Sequence, residues 1–467
     1  MMRVLSVAAE AFPLVKTGGL ADVVGALPAA LAPHGVETTT MIPGYPVVGA
    51  SMKGAKVVRR WAGLMDTPAR LLSGTIEGHP LLVLDAPALF NRKGGLYGQA
   101  DDWRRFAALA RAAADVAIDD GYAVLHAHDW QAALAPAYLR YDGASVRSVT
   151  TVHNIAFQGQ FGADVFPALG LPDTAWRIDG VEYYGGVGFL KAGLAAADAI
   201  TTVSPTYAAE IRENRFGMGL EGLIAARHAR VHGIVNGIDP AVWNPETDAA
   251  LPQRYTARAL GRRRVNKRAI ERTFGLEAGD GPLFTVISRL TWQKGMDVLA
   301  QRLDDLVAQG GRLALLGSGD APLESAFLAA AARHPGRIGV RIGYDEPLSH
   351  LVQGGADAIL IPSRFEPCGL TQLYGLAYGC VPVVARTGGL ADTVIDANEA
   401  AIAAGVATGF QHGEVSDNSL AHAISRTIRA YSRPDLWCTI QRNGMRADFS
   451  WTESGRRYAD LYKSLFA

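Results

Sequence analysis

Val4-Leu5-Ser6-Val7-Ala8-Ala9, followed after a short turn by Lys16-Thr17-Gly18-Gly19-Leu20-Ala21-Asp22-Val23-Val24, decides the fold. The first run is apolar and too short for a helix, so it reads as a buried strand. The second opens on two glycines and settles into a helical pattern. Strand, glycine turn and helix thus follow one another. The same order returns late in the chain, where Arg386-Thr387-Gly388-Gly389-Leu390-Ala391-Asp392-Thr393-Val394 follows the apolar run 381–385. An echo this short fits either two related halves or convergence on one local chemistry.

Outward from these segments, apolar runs at 38–42, 81–85, 123–127, 148–153 and 199–203 alternate with amphipathic stretches. In 103–118, Trp103, Phe106, Leu109, Ala110, Ala113, Val116 and Ala117 recur at three- and four-residue spacing, which gives one apolar face of a helix. Nearly uninterrupted apolar strands separated by helices predict a parallel sheet covered on both faces. The rhythm breaks over 240–282, with Pro240, Pro245, Pro252 and the basic run Arg262-Arg263-Arg264, which reads as a domain junction. It resumes at 283–288, 312–316, 338–342, 358–361 and 381–385. The 467 residues therefore predict an α/β protein of two Rossmann-like doubly wound domains, 1–240 and 241–450, with a cleft between them. A final helix over 451–467 carries Trp451, Tyr458, Leu461, Tyr462 and Leu465 on one side. Packing across both domains is one place for it to dock.

Composition narrows the function. Forty-five basic and forty-five acidic side chains cancel, which argues against nucleic acid or an anionic membrane surface as the main partner. No apolar run approaches the roughly 20 residues of a membrane span. Glu10 interrupts the first apolar run, which is too short for an export signal. Cys368, Cys380 and Cys438 fit neither a zinc site nor a disulfide framework, so a reducing, cytoplasmic setting is expected.

The chemistry collects at strand ends. Gly18 and Gly19 let a ligand approach the backbone, a helix start offers free N–H groups, and Lys16 adds a charge; together they suit a diphosphate. An ordinary strand–helix turn with a solvated lysine accounts for the same residues. Arg289 and Lys294, in Ser288-Arg289-Leu290-Thr291-Trp292-Gln293-Lys294-Gly295, read as a clamp on a leaving diphosphate or as a surface ion pair. Gly369, Leu370 and Thr371, and Gly388 with Gly389, start two further helices whose amides suit phosphate. Glu366 would repel phosphate and so suits sugar hydroxyls, or it is a helix-start acid favoured by the dipole. His126, His128 and Asp129 cluster at one strand end without a third ligand at a convincing spacing, and the chain has no Asp-x-Asp pair, so no metal is expected. His153 ends the next strand and is the better candidate for a catalytic cleft.

Taken together, these segments resemble the bacterial glycogen synthases and related starch synthases. The resemblance runs through Lys16-Thr17-Gly18-Gly19-Leu20, His128-Asp129-Trp130, Thr151-Val152-His153-Asn154 and Val235-Asn236-Gly237-Ile238-Asp239. It continues through Ser288-Arg289-Leu290, Lys294-Gly295, Pro362-Ser363-Arg364-Phe365-Glu366-Pro367-Cys368-Gly369-Leu370 and Thr387-Gly388-Gly389-Leu390. It implies a GT-B fold with the C-terminal helix crossing back to the first domain. It also implies transfer of glucose from ADP-glucose to the non-reducing end of an α-1,4-glucan, with retention of configuration and no metal or other cofactor. By motif, Lys16, Gly18 and Gly19 would meet the distal phosphate and the sugar. Arg289 and Lys294 would neutralise departing ADP. Glu366 and His153 would hold the glucose, with Asp129 and Asn236 lining the site. Cys368 belongs to the same motif, Gly369, Leu370 and Thr371 would contact phosphate, and Tyr344 would stack on adenine. Tyr374 stands where many GT-B enzymes carry a second glutamate. This fits the glycogen synthase pattern better than sucrose synthase or the neighbouring mannosyltransferases. A nicotinamide-dependent dehydrogenase would want Gly-x-Gly-x-x-Gly after the first strand, and Gly18-Gly19 lacks that spacing. A catalytically silent glucan-binding protein would not need Arg289, Lys294 and Glu366 together.

Overall fold

The computed structural model describes residues 1–52 and 54–467. The chain forms two compact units, one of Met1–Gly237 with Trp451–Ala467, the other of Ile238–Ser450.

The first unit is built on a nine-stranded sheet. In spatial order its strands are Val231–Gly233, Ala199–Thr202, Arg147–Val152, Val124–His128, Met2–Val7, Val36–Pro43, His79–Asp85, Thr67–Ile76 and Lys56–Leu64. The first seven are parallel. Every residue of Val124–His128 and Ala199–Thr202 is buried, as in parallel strands covered on both faces, the polar His126, His128, Thr201 and Thr202 included. Thr67–Ile76 and Lys56–Leu64 pair antiparallel at one edge, so the sheet is mixed rather than wholly parallel. Lys56–Leu64 is mostly exposed and carries Arg59 and Arg60, as an edge strand open to water should. That polarity hides it from a search for buried runs. A small sheet of Gln160–Phe161, Gly186–Gly188 and Glu182–Tyr183 stands apart from the main one.

The switch in chain order lies between Met2–Val7 and Val124–His128: the strands up to His79–Asp85 lie on one side of the first strand, and Val124–His128 and the strands after it lead away on the other. Parallel sheets bind ligands beyond the carboxyl ends of their strands at such a switch. The helix Asp102–Asp119 covers one face, and the helix Trp451–Ser464 packs against Gly19–Leu31. Tyr458, Leu461 and Tyr462 are buried there with Val23, Leu27 and Leu31.

The second unit has six parallel strands: Ile338–Ile342, Arg312–Gly317, Leu283–Ile287, Ala358–Ile361, Val381–Ala385 and Phe410–His412. Its switch lies between Leu283–Ile287 and Ala358–Ile361. The stretch 240–282 is less loop-like than its prolines suggest, because Arg263–Phe274 is a helix. Arg263, from the basic run, is buried and donates to the carbonyls of Gln353 and Ala356. Tyr374 stacks on Trp243 with ring centroids 3.6 Å apart, and His350 stacks there too, at 3.9 Å.

Candidate active site

In the first unit the site residues follow the two strands at the switch. Glu10, just past the first strand, is buried and accepts hydrogen bonds from the Thr17 amide, the Thr17 hydroxyl (2.6 Å) and the Tyr97 hydroxyl. This carboxylate holds the glycine loop in place. In sequence it was only an acid interrupting an apolar run; its one signal was its place just past the end of the first strand. Gly18 is the N-cap of the helix Gly19–Leu31 and gives it no side-chain cap, so the first-turn amides keep their dipole end open. Lys16 pairs with Asp22 at 2.7 Å in a partly exposed bridge.

The next strand delivers Asp129, whose backbone φ of +54° lies in the left-handed region that few non-glycine residues adopt. Its carboxylate accepts from the His153 amide at 2.6 Å, which ties two strand ends together. Burial pushes Asp129 up to about 7, against the pull of hydrogen bonds from the His153 and Asn154 backbone. His153 Nε2 bonds His128 Nδ1 at 3.0 Å, and His128 Nε2 bonds Ser6 at 3.1 Å. His126 is held by Tyr462 at 2.7 Å and by Thr151 at 2.5 Å. Both nitrogens of His126 and of His128 are thus engaged by protein groups. Among the described residues no group of three His, Cys, Asp or Glu side chains is arranged for a metal. Burial lowers His126 and His153 to about 3, and His128 well below its usual range. His153 is therefore a neutral ring at physiological pH, suited to hydrogen bonding and not to carrying charge. Asn236 is buried, and its amide oxygen has no hydrogen-bond partner among the described residues.

In the second unit, Leu283–Ile287 leads into Arg289 and Lys294, and Ala358–Ile361 leads into Glu366. Neighbouring strands at the switch thereby bring together residues 72 apart in sequence. Lys294 donates to Glu366 Oε2 at 2.6 Å, and the Ser363 hydroxyl donates to the same oxygen at 2.8 Å. The pair is largely buried. Lys294 is therefore not a solitary cation awaiting phosphate; it comes already paired, and the pairing fixes both side chains. Glu366 Oε1 makes no hydrogen bond among the described residues. Arg289 is exposed and makes no ion pair among the described residues, leaving its planar donor fork open. Arg364 instead bonds Asp297 at 2.6 and 2.7 Å and lies over Trp292.

The helix Thr371–Tyr378 begins without a side-chain cap. Gly369 precedes it at φ +72°, a conformation that suits glycine. Gln372 donates to the carbonyls of Cys368 and Gly369, at 3.0 Å each, and holds this turn. Gly388 and Gly389 behave differently from Gly18, although the sequences match. A Cβ at Gly388 or Gly389 would overlap the carbonyl oxygen of Glu366 or Cys368, well inside 3.0 Å. The Gly389 amide is already donated to the carbonyls of Glu366 and Pro367. That amide, expected to be free for phosphate, is spent on holding the Glu366 segment. At Gly18, by contrast, an added Cβ would meet nothing within 4 Å, and φ is −161°. The unit itself gives no reason for glycine there. Tyr344, after the strand Ile338–Ile342, is exposed.

Two doubly wound units with these strand-end constellations define a GT-B-type glycosyltransferase. Residues 3–226 match the starch synthase catalytic domain, and residues 267–435 match the group 1 glycosyl transferases. The chain is 64% identical to a glycogen synthase of Novosphingobium aromaticivorans over 480 aligned positions, covering 100% of this chain and 99% of that one. It is 61% identical to a glycogen synthase of Mesorhizobium japonicum, again over 100% and 99% of the two chains. The catalytic domain of starch synthase IV from Arabidopsis thaliana, solved bound to ADP and acarbose, superposes with a TM-score of 0.89 at 31% identity over 99% of each chain. A sucrose-phosphate synthase of Thermosynechococcus elongatus shares the fold, with a TM-score of 0.62 at 18% identity over 100% of this chain and 99% of that one. The chain belongs to the glycogen and starch synthase family and is a hexosyltransferase. No helix among the described residues is long and apolar enough to cross a membrane.

Proposed function

We propose that the protein transfers glucose from ADP-glucose to the 4-hydroxyl at the non-reducing end of an α-1,4-glucan, with retention and without a metal. The observation that carries this reading is the second unit's switch point, where two neighbouring strands lead into Arg289, the Lys294–Glu366 pair and the uncapped helix start at Thr371. Departure of the nucleotide builds negative charge on the diphosphate. Arg289, Lys294 and the amides at Gly369, Leu370 and Thr371 oppose it as fixed charges and dipoles. Glu366, pinned through Oε2, keeps Oε1 for a sugar hydroxyl. His153, neutral and held by His128, keeps its remaining nitrogen for a sugar hydroxyl, and Asp129 sets the position of His153. Lys16 and Gly18 meet the distal phosphate. Cys368, Gly388 and Gly389 shape the backbone around Glu366, and Tyr344 is assigned to the adenine.

Retention is assigned to front-face attack within a tight ion pair, because no carboxylate has been identified as an opposite-face nucleophile. ADP bound in the starch synthase structure supports an adenine donor, and three cysteines that form no disulfide among the described residues suit a reducing cytoplasm. The test is incubation with glycogen and labelled ADP-glucose or UDP-glucose, without added metal. Incorporation from ADP-glucose into α-1,4 linkages is expected. Transfer from UDP-glucose alone, or an absolute need for a metal, refutes the assignment. A trapped covalent glucosyl-enzyme refutes the front-face route.

A further inference from the structure

In the first unit's small sheet, Tyr184 and Gly185 form the two-residue connection between Glu182–Tyr183 and Gly186–Gly188. Both have positive φ, +48° and +77°. A tight hairpin with that geometry favours Asn-Gly, because asparagine tolerates the left-handed region and a bulky ring does not. Here the position holds a tyrosine that is 77% exposed, so burial returns nothing for the strain. Met218, the neighbouring outlier, has a φ of +50° and is 40% exposed. Strained residues of this kind persist where the surroundings over-determine them, and these surroundings do. The Tyr183 hydroxyl and the Gln158 amide each donate to the Met218 carbonyl at 3.0 Å. The Tyr183 and Tyr184 rings meet edge to face at 4.7 Å. The Gly185 amide donates to Glu182 at 2.8 Å. A side chain at Gly219 would strike the Tyr183 hydroxyl.

The cluster continues from the catalytic strand end. Gln158 lies five residues after His153, so the two are within about 18 Å even for an extended chain. Gly159 packs against Trp130, the residue after Asp129.

The geometry points to Tyr184, with Met218 beside it, as a stacking platform for an α-glucan chain whose end reaches the His153 site. The inference rests on the glucan acceptor proposed above. A pyranose offers an apolar face and a rim of hydroxyls, and an exposed tyrosine matches both. Local folding preference and ligand binding therefore make opposite demands on residue 184, and one substitution separates them.

Tyr184→Asn installs the residue that the turn favours. Its melting temperature should equal or exceed that of the unsubstituted protein. Its KM for glycogen should rise about three- to tenfold, the scale of one lost amphipathic ring contact. Retardation in glycogen-containing native gels should weaken in parallel, and Tyr184→Phe should restore both. Val58→Asn, on the exposed edge strand, serves as a surface control. Glycogen retardation unchanged in Tyr184→Asn overturns the platform, as does a changed oligomeric state with glycogen affinity intact. A lower melting temperature overturns the argument from strain. Failure of the unsubstituted protein to elongate glucan overturns the functional reading instead, and gel retardation reports on the platform separately.

Discussion

Gly18→Ala tests whether a substrate comes up to the first glycine loop. At Gly18 an added methyl meets nothing within 4 Å, and a φ of −161° is open to any residue. Replacing glycine at an N-cap costs some tenths of a kcal/mol. The less flexible unfolded chain returns about 0.4–1 kcal/mol. The two nearly cancel, so the melting temperature should move by no more than about 2 °C, given roughly 2–4 °C per kcal/mol for units of this size. If a phosphate oxygen lies against the Gly18 backbone, the methyl overpacks that contact by about 1–3 kcal/mol. At 1.36 kcal/mol per decade, kcat/KM then falls about 5- to 150-fold. Gly389→Ala is the contrasting case, because its methyl would strike the Cys368 backbone in the unliganded protein. About 3 kcal/mol is expected there, with a melting temperature lower by roughly 6–12 °C. Scanning fluorimetry and initial rates of labelled glucose incorporation read both variants. Wild-type kcat/KM in Gly18→Ala, or a melting loss equal to that of Gly389→Ala, refutes the reasoning.

Lys16→Ala should lower kcat far more than it weakens ADP binding, and its stability cost should stay below about 1 kcal/mol because its bridge to Asp22 is partly exposed; equal losses in kcat and in ADP affinity by calorimetry contradict this. Lys294→Met leaves the Glu366 carboxylate buried without its cation and should cost about 3–5 kcal/mol. Adding Glu366→Gln should recover most of that stability but no activity, and a double variant as unstable as the single one shows that the pair does not act as a unit. His126 has a folded pKa near 3, below its unfolded value, so the unfolded state takes up the proton first and stability is lost as pH falls from about 6.5 towards 3. Denaturant titrations at pH 7 and pH 5 should show His126→Gln losing about 2 kcal/mol less than the unsubstituted protein. Asp129 drives stability the other way over this range, but it is common to both proteins and cancels; identical losses would place His126 in contact with water.

Much of the fold was legible because parallel strands buried on both faces leave largely apolar runs. The edge strand Lys56–Leu64 has no such run, and Arg263–Phe274 hid its helix behind a basic cluster that looked like surface. At the site, the residue types were readable but their partners were not. Lys294 and Glu366 stand 72 residues apart, and Glu10 and Tyr97 stand 87 apart; only the folded chain brings each pair together. The two Thr-Gly-Gly segments read alike, yet one pair of glycines is required by its own backbone neighbours and Gly18 is not. That distinction depends on what lies within 4 Å, which no local sequence records.

The division of the chain also has a consequence for how it is made. The ribosome completes Ile238–Ser450 before it reaches Trp451–Ser464, the helix that closes the core around Val23, Leu27 and Val124. At about 5–20 residues per second, roughly 200 residues of synthesis separate most of the first unit from its last piece, some 10–40 s. The inserted unit carries its own fastening, since the Ile238 amide donates to the Phe449 carbonyl at 2.8 Å where the segment enters and leaves. The part born second can therefore mature first, while the part born first waits, with an apolar groove uncovered, for the final turns of helix to emerge.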